Sequence, residues 1–266
     1  MAKVLITGGA GFIGSHIAAV LVEAGDEVRI LDDFSTGFER NVEAAGVDEV
    51  FRASVTELEK VREAVKGCDY VFHEAALASV PRSVKDPLAS NAVNVAGTLN
   101  VLVASRDEGV KRVIYAASSS AYGDSEVLPK VETMRERPKS PYAVAKLAGE
   151  QYVSVFAQVY GMETLAIRYF NVFGPRQDPD SPYAAVIPLF LDALLKGEPP
   201  TIHGDGEQSR DFTYVENVVH ANLLALRAPK LSGEVVNVAL GDRVTLNELY
   251  ARLAKLVGSS LDPVHG

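Results

Sequence analysis

The sequence predicts an α/β fold: a doubly wound parallel sheet followed by a smaller C-terminal region. Three observations carry that reading. An apolar run at Lys3–Thr7 leads directly into Gly8-Gly9-Ala10-Gly11-Phe12-Ile13-Gly14 and then into helical periodicity. Apolar runs of strand length then alternate with helix-length stretches as far as Phe170, the pattern of parallel strands joined by right-handed crossovers. Beyond Gly174 the texture changes, with Pro175, Pro179, Pro182 and Pro188 set among Arg176, Gln177, Asp178 and Asp180.

Taken in order, Ile13, Ile17, Val20 and Leu21 space a first helix that ends near Gly25, and Glu27–Leu31 is a second strand running into Asp32-Asp33. Glycines allow a tight turn and close approach of backbone to a pyrophosphate. A helix N-terminus adds free N–H groups, and an acid about 20 residues on can accept hydrogen bonds from a ribose diol. Together these features specify a dinucleotide site. Asp32 repels a 2′-phosphate and favours NAD over NADP; Asp33 strengthens this, while Arg40 keeps the alternative open. Further helices are expected at Glu57–Lys66, Asp86–Glu108 and Pro141–Tyr160, and strands at Asp69–His73, Arg112–Ala117 and Glu163–Phe170. Ligands of such sheets lie beyond the carboxyl ends of the strands. That rule selects Ala75-Ala76-Leu77-Ala78-Ser79, Ser118-Ser119-Ser120 and Asn171. The proline-rich stretch reads as a long functional loop. A helix at Ile187–Leu195, a turn at Gly197–Gly206, a helix at Glu216–Arg227, a strand at Val235–Val238 and a helix at Leu246–Val257 complete the chain.

The chemistry centres on Tyr142-Ala143-Val144-Ala145-Lys146. In a helix, positions i and i+4 share a face, so the phenol of Tyr142 and the ammonium of Lys146 point the same way. Ser140-Pro141 is an N-cap followed by the proline favoured in the first turn, which fixes where the helix begins. A free phenol, with pKa of about 10, is a poor base at neutral pH. A nearby lysine cation is expected to favour the phenolate and bring it toward working pH.

Composition narrows the class. The chain has 266 residues, 47% of them hydrophobic, enough for a sizeable core. A formal charge of −9 disfavours nucleic acid and anionic membrane as partners. No run of about 18 apolar residues is read as a membrane span, and no signal peptide opens the chain. The single cysteine, Cys68, fits a reducing compartment, so a cytoplasmic protein is expected. No metal site is read.

The ordered motifs Gly-Gly-Ala-Gly-Phe-Ile-Gly at 8–14, Ser-Val-Pro-Arg-Ser at 79–83, Asn-Val-Ala-Gly-Thr at 94–98, the serine cluster at 118–120 with the Ala-Tyr-Gly-Asp after it, Tyr142-x-x-x-Lys146, Arg-Tyr-Phe-Asn at 168–171, Pro-Tyr-Ala-Ala-Val-Ile-Pro at 182–188 and Gly-Asp-Gly-Glu-Gln-Ser-Arg-Asp-Phe at 204–212 span nearly the whole chain. The sequence thereby resembles the extended short-chain dehydrogenase/reductases, and among them the NAD-dependent nucleotide-sugar epimerases of the UDP-glucose/UDP-GlcNAc 4-epimerase type. The resemblance implies a Rossmann NAD-binding domain at 1–170 with 213–238 returning to it, and a substrate-binding region at 171–212 and 239–266 that is short at its C-terminus by about 40 residues. It implies Tyr142 as base, with Ser118 sharing the proton and Lys146 also holding the nicotinamide ribose. For NAD it implies Gly8, Gly11, Phe12, Ile13, Gly14, Asp32, Asp33, Phe34, Ser35, Thr36, Gly37, Ser54, Val55, Ala75, Ala76, Leu77, Asn94, Ala116, Tyr169 and Phe170 beside Tyr142 and Lys146. Ser54 stands where the family has an aspartate for adenine. For the UDP-sugar it implies Ser79, Ser118, Ser119, Ser120, Tyr142, Asn171, Ala185, Val186 and Arg210. A homodimer through the helices Asp86–Glu108 and Pro141–Tyr160 is expected on the same ground.

By resemblance, dehydratases carry an Asp-Glu pair just after the catalytic Thr and decarboxylases a Glu two positions after it. Ser119-Ser120 occupy those positions, so simple epimerisation through a 4-keto sugar is the expected activity. A UDP-uronate epimerase or decarboxylase and a nucleotide-sugar reductase are the alternatives within the fold, and a non-catalytic NAD-binding sensor is the alternative outside enzymes.

Overall fold

The computed structural model describes residues 1–125, 127–181 and 184–266, so Pro182 and Tyr183 of the proline-rich motif lie outside the described residues. Strand β1 (Lys3–Thr7) runs into helix α1 (Phe12–Glu23). Then come β2 (Glu27–Asp32), α2 (Glu39–Ala45), β3 (Glu49–Arg52), α3 (Leu58–Val65) and β4 (Tyr70–His73). The expected single helix over Asp86–Glu108 is α5 (Pro87–Asn91), a π-helical turn (Ala92–Gly97) and α6 (Thr98–Asp107), preceded by a short α4 (Val80–Lys85). The wider turn carries Asn94, whose amide binds both the N–H and the C=O of Leu77. Next come β5 (Arg112–Ser118), a 3₁₀ turn (Ser119–Tyr122), α7 (Pro141–Tyr160) and β6 (Glu163–Tyr169).

The chain then enters a second region of β7 (Val172–Phe173), α8 (Val186–Lys196), β8 (Thr201–Ile202), β9 (Ser209–Arg210) and β10 (Thr213–Tyr214). It continues through α9 (Val215–Arg227) and β11 (Glu234–Val238), and ends in β12 (Val244–Thr245), α10 (Leu246–Val257) and β13 (Val264–His265). Two compact units result: Met1–Tyr169 with Val215–Val238, and Phe170–Tyr214 with Ala239–Gly266.

The first unit holds a seven-stranded sheet in the order β11-β6-β5-β4-β1-β2-β3, with every pair parallel. Its central strands are largely apolar, as expected of strands covered on both faces. The core joins Leu5, Val71, Val113 and Ala166 of the sheet to Val61 and Val65 of α3, Val101 and Leu102 of α6, and Val153 and Phe156 of α7. Among the described residues, the stretch Pro87–Asp107 alone is long and apolar enough by composition to cross a bilayer. Its apolar side is spent inside the protein, since Val101, Leu102 and Ala104 are fully buried.

In the second unit α8 and α10 pack through Ile187, Phe190 and Leu194 against Leu249, Tyr250 and Leu253, with Ile202 of β8 beneath. Paired β10 and β7, β12 and β9, and β13 and β8 form its small sheets. Helix α10 opens with a reciprocal capping box between Thr245 and Glu248.

Candidate active site

The turn between β1 and α1 is built for close approach. Gly8 sits at φ +72°, and a Cβ there would lie 2.6 Å from the Ala75 nitrogen. A Cβ on Gly14 would meet the Gly8 carbonyl oxygen, so both positions admit only glycine without backbone movement. Helix α1 starts at Gly11 with no side-chain cap and no acid in its first turn, which leaves its N–H groups and positive dipole end for an anion. Phe12 and Ile13 form that first turn.

Asp32 ends β2 and is buried; its Oδ2 accepts from the Ala10 N–H at 2.9 Å and its Oδ1 from the Phe34 N–H at 2.8 Å. Each oxygen keeps a second lone pair, so Asp32 shapes the turn and still offers acceptors. Burial raises its pKa, with these two N–H groups drawing it back. Asp33 is exposed and accepts from the Ser35 N–H. Phe34 takes φ 57°, which turns the chain toward Ser35, Thr36 and Gly37, and a Cβ on Gly37 would meet the Ala10 Cβ at 2.7 Å. Ser54 Oγ is taken by the hydroxyl of Thr56 at 3.0 Å, and Val55 is buried beside it. The loop from Ala75 and Ala76 to Leu77 lies along the glycine turn and is held by Asn94.

Beyond the ends of β5 and β6 the reactive side chains converge. Helix α7 is capped by Ser140 with Pro141 in its first turn, and the Tyr142 N–H donates to the Ser83 Oγ at 3.0 Å. Ser118 accepts from the Ser120 N–H and hydroxyl, at 3.2 and 2.9 Å, and hydrogen-bonds the Tyr142 phenol. Ser119 follows in the 3₁₀ turn. The Lys146 ammonium donates to the Ala116 carbonyl at 2.7 Å and rests over the Tyr115 ring at 4.9 Å from its centroid. A Cβ on Gly149 would come within 2.7 Å of the Tyr115 ring, so this glycine lets helix and strand meet closely enough for that contact.

The electrostatics correct the expectation drawn from the pair alone. Burial pushes the Tyr142 phenol above the ordinary tyrosine value, and the hydrogen bond from Ser118 is what lowers it. Lys146 is itself brought down to about 8 by burial, and its Nζ is committed to a carbonyl. The local tuning of the phenol therefore comes from Ser118, while Lys146 is a buried ammonium whose charge burial disfavours.

The serine cluster lacks an extra carboxyl group, as its sequence shows; a buried acid that sequence reasoning did not single out, Glu74, stands just past β4. Its Oε1 accepts from the Tyr169 hydroxyl at 2.8 Å, and the Tyr169 oxygen accepts from Asn222 Nδ2 at 2.8 Å. Sequence reasoning also missed Ser83 and the buried Arg168–Glu150 pair, although Ser83 and Arg168 lie inside quoted motifs. Ser79 holds the Arg82 N–H and caps α4.

In the second unit, Asn171, Ala185, Val186 and Arg210 line one cavity of about 730 Å³ together with Phe173, Gln208 and Phe212. Phe170 opens this unit. Asn171, at φ 31°, donates to the Asp211 carbonyl at 2.9 Å. The Asp211 carboxylate is taken by the N–H groups of Leu240 and Gly241, and Arg210 donates to the Ser209 carbonyl. Arg210 is thus placed by β9 and not by an ion pair with its neighbour. Among the described residues no group of three metal-ligating side chains occurs.

A doubly wound parallel sheet with an uncapped glycine turn at its first crossover, an acid ending the second strand and a Ser-Tyr-Lys cluster above β5 defines a Rossmann-type nicotinamide enzyme. The NAD dependent epimerase/dehydratase family matches residues 4–239, and the chain belongs to that family. It is 39% identical over 259 residues to the putative UDP-glucose 4-epimerase of Methanocaldococcus jannaschii, covering 96% of this chain and 82% of that one. Among solved structures, the UDP-N-acetylglucosamine 4-epimerase from Methanobrevibacter ruminantium M1 in complex with UDP-N-acetylmuramic acid is similar at TM-score 0.95 and 42% identity, covering 100% of this chain and 85% of that one. The Thermus thermophilus UDP-glucose 4-epimerase complex with NAD is similar at TM-score 0.90 and 40% identity, covering 99% and 85%.

Proposed function

We propose that the protein is an NAD-dependent 4-epimerase of UDP-sugars, acting on the glucose/galactose pair or on its N-acetyl forms. The observation that carries the reading is the Ser118-Tyr142-Lys146 cluster at the strand ends, in the same unit as a glycine turn shaped for a pyrophosphate. NAD⁺, when bound, would supply the redox chemistry, a nicotinamide able to accept a hydride from C4 of the sugar and to serve as the donor for its reduction. The glycine turn at Gly8, Gly11 and Gly14 binds the pyrophosphate, Asp32 the adenosine ribose, and Lys146 the nicotinamide ribose. Tyr142 takes the proton of the 4-hydroxyl, directly or through Ser118, and gives it back when the 4-keto sugar is reduced. Ser119 and Ser120 contact the hexose, while Arg210, Asn171, Ala185 and Val186 belong to the nucleotide-diphosphate grip, with Arg210 supplying local positive charge in an acidic protein.

Proton NMR of the anomeric region, after incubation with UDP-glucose, UDP-GlcNAc and UDP-glucuronate and with no cofactor added, tests this. Interconversion of 4-epimers is expected; release of CO₂ from the uronate, or a requirement for external NAD(P)H, refutes it. Tyr142→Phe should abolish turnover while NAD stays bound, and rapid turnover in that variant refutes the assignment of the base.

We further read the protein as a homodimer. Val153 and Phe156 of α7 are buried within the chain, but Val144, Val155 and Val159 are exposed along the same helix, as is Leu88 of α5. Light scattering on the eluted protein checks the mass.

A further inference from the structure

Glu74 has no part in the reaction as written above, yet it stands among the groups that would run it. His73 pairs with Tyr115 across β4 and β5, so Glu74 comes level with Ala116, whose carbonyl holds the Lys146 ammonium at 2.7 Å. The Glu74 backbone also abuts the glycine turn, since a Cβ on Gly8 would lie 2.9 Å from its carbonyl carbon. Its side chain is fixed: Tyr169 donates to it at 2.8 Å, and Asn222 holds Tyr169 while anchored to the Val218 carbonyl at 2.9 Å.

The other charged or titratable groups around Lys146 are already committed. His73 from β4 is hydrogen-bonded at both ring nitrogens, by Thr7 at 2.6 Å and Thr98 at 2.9 Å, and burial lowers its pKa to about 3, so it is neutral. Tyr115 from β5 lies beneath the ammonium, donates its hydroxyl to the Lys146 carbonyl, and is pushed by burial far from ionising. On α7 itself Tyr142 is bonded to Ser118, and Glu150 is held by two nitrogens of Arg168 from β6. Tyr169, also from β6, donates to Glu74. Among the described residues, that leaves the Glu74 carboxylate, bonded to the Tyr169 hydroxyl, as the acid that acts electrostatically on Lys146.

We propose that Glu74 is a positioning residue whose carboxylate is the counter-charge that keeps Lys146 protonated and seated on the Ala116 carbonyl. This rests on the reading of Tyr142 and Lys146 as the reactive pair. Burial lifts Glu74 to about 7 and lowers Lys146 to about 8, with each drawing the other back toward its charged form. Acidification therefore discharges the pair by protonating Glu74, and alkalinisation discharges it by deprotonating Lys146. Its position on a different strand from the serine cluster makes it an acid that motif spacing around Tyr142 does not reveal.

The test is a titration of the full-length protein, purified with the cofactor it carries. It follows the Lys146 Cε resonance by carbon NMR in lysine-labelled wild type and in Glu74→Gln, which keeps an acceptor for Tyr169 and removes the charge. An opposite charge raises a lysine pKa, so the Lys146 midpoint is expected to fall by about one pH unit in Glu74→Gln, and the alkaline limb of the kcat profile to move down with it. An unchanged midpoint overturns the proposal. Should Glu74→Gln fail to fold, the wild type decides alone: the Lys146 curve should show a second inflection at the Glu74 midpoint, and a single-step curve overturns the pairing. Neither NMR measurement depends on turnover, so an inactive wild type would count against the epimerase reading and leave the pairing to the titration.

Discussion

The helix that carries Tyr142 and Lys146 is fastened to β6 by one buried ion pair, and cutting it should loosen both fold and catalysis. Arg168 is 1% exposed and Glu150 is 1% exposed. The guanidinium reaches Glu150 through Nε at 2.8 Å and Nη2 at 2.6 Å, reaches Glu136 through Nη2 at 2.6 Å, and lies over the Tyr122 ring at 4.6 Å. Glu150→Ala would leave a desolvated cation with Glu136 on one of its nitrogens and the uncharged Tyr122 side chain beside it. Breaking such a pair costs about 3–5 kcal/mol. The surviving Glu136 contact argues for the lower end, and at about 2–4 °C per kcal/mol in a chain of this size a loss of roughly 6–12 °C in Tm follows. Circular dichroism during heating measures it, with amide exchange reporting whether α7 opens first. Replacing both partners by apolar groups, as in Glu150→Leu with Arg168→Met, should recover most of the loss, because the cost lies in the orphaned charge and not in the missing attraction. A Tm for Glu150→Ala within about 2 °C of wild type, or a double variant no better than the single one, refutes this reasoning.

Three further outcomes are expected. Ser118→Ala removes the hydrogen bond that lowers the Tyr142 phenol, so the pKa rises further; the limb of kcat that requires phenolate should move to higher pH and kcat at neutrality should fall by about 10²-fold or more, as a pH–rate profile would show. Gly14→Ala forces a methyl group onto the Gly8 carbonyl, and NAD extracted per mole of purified protein should drop at least severalfold, with about 1–3 kcal/mol lost in stability. Arg210→Ala should raise KM for a UDP-sugar by roughly tenfold or more through loss of a charge-assisted contact, while kcat stays within a factor of about three.

What could be read ahead of the structure was local. The β1-turn-α1-β2-acid unit lies within Lys3–Asp32, and each of its signals sits beside the next in sequence. The start of α7 followed from Ser140 and Pro141 for the same reason. The two-residue strands β7 to β10 were not legible because a pair of residues carries no periodicity. The π turn around Asn94 was hidden inside an unbroken helical pattern. Glu74, Ser83, Glu150 and Arg168 escaped notice because each acts on a partner brought in by the sheet: Glu74 on Tyr169, Ser83 on Tyr142, Glu150 on Arg168. The pKa of Tyr142 was misread for a related reason, since sequence supplies the neighbouring cation but not the desolvation that outweighs it.

The last strand of the main sheet, β11, is made only after the whole of Phe170–Tyr214 has been synthesised, although its partner β6 ends at Tyr169. While the ribosome works through that interval, β6 presents an unpaired row of amides and carbonyls with the apolar residues Leu165, Ala166 and Ile167 along it. The nascent chain therefore passes through a stage in which its sheet has an adhesive margin, and an interruption of translation there would strand it in a form prone to pair with other chains.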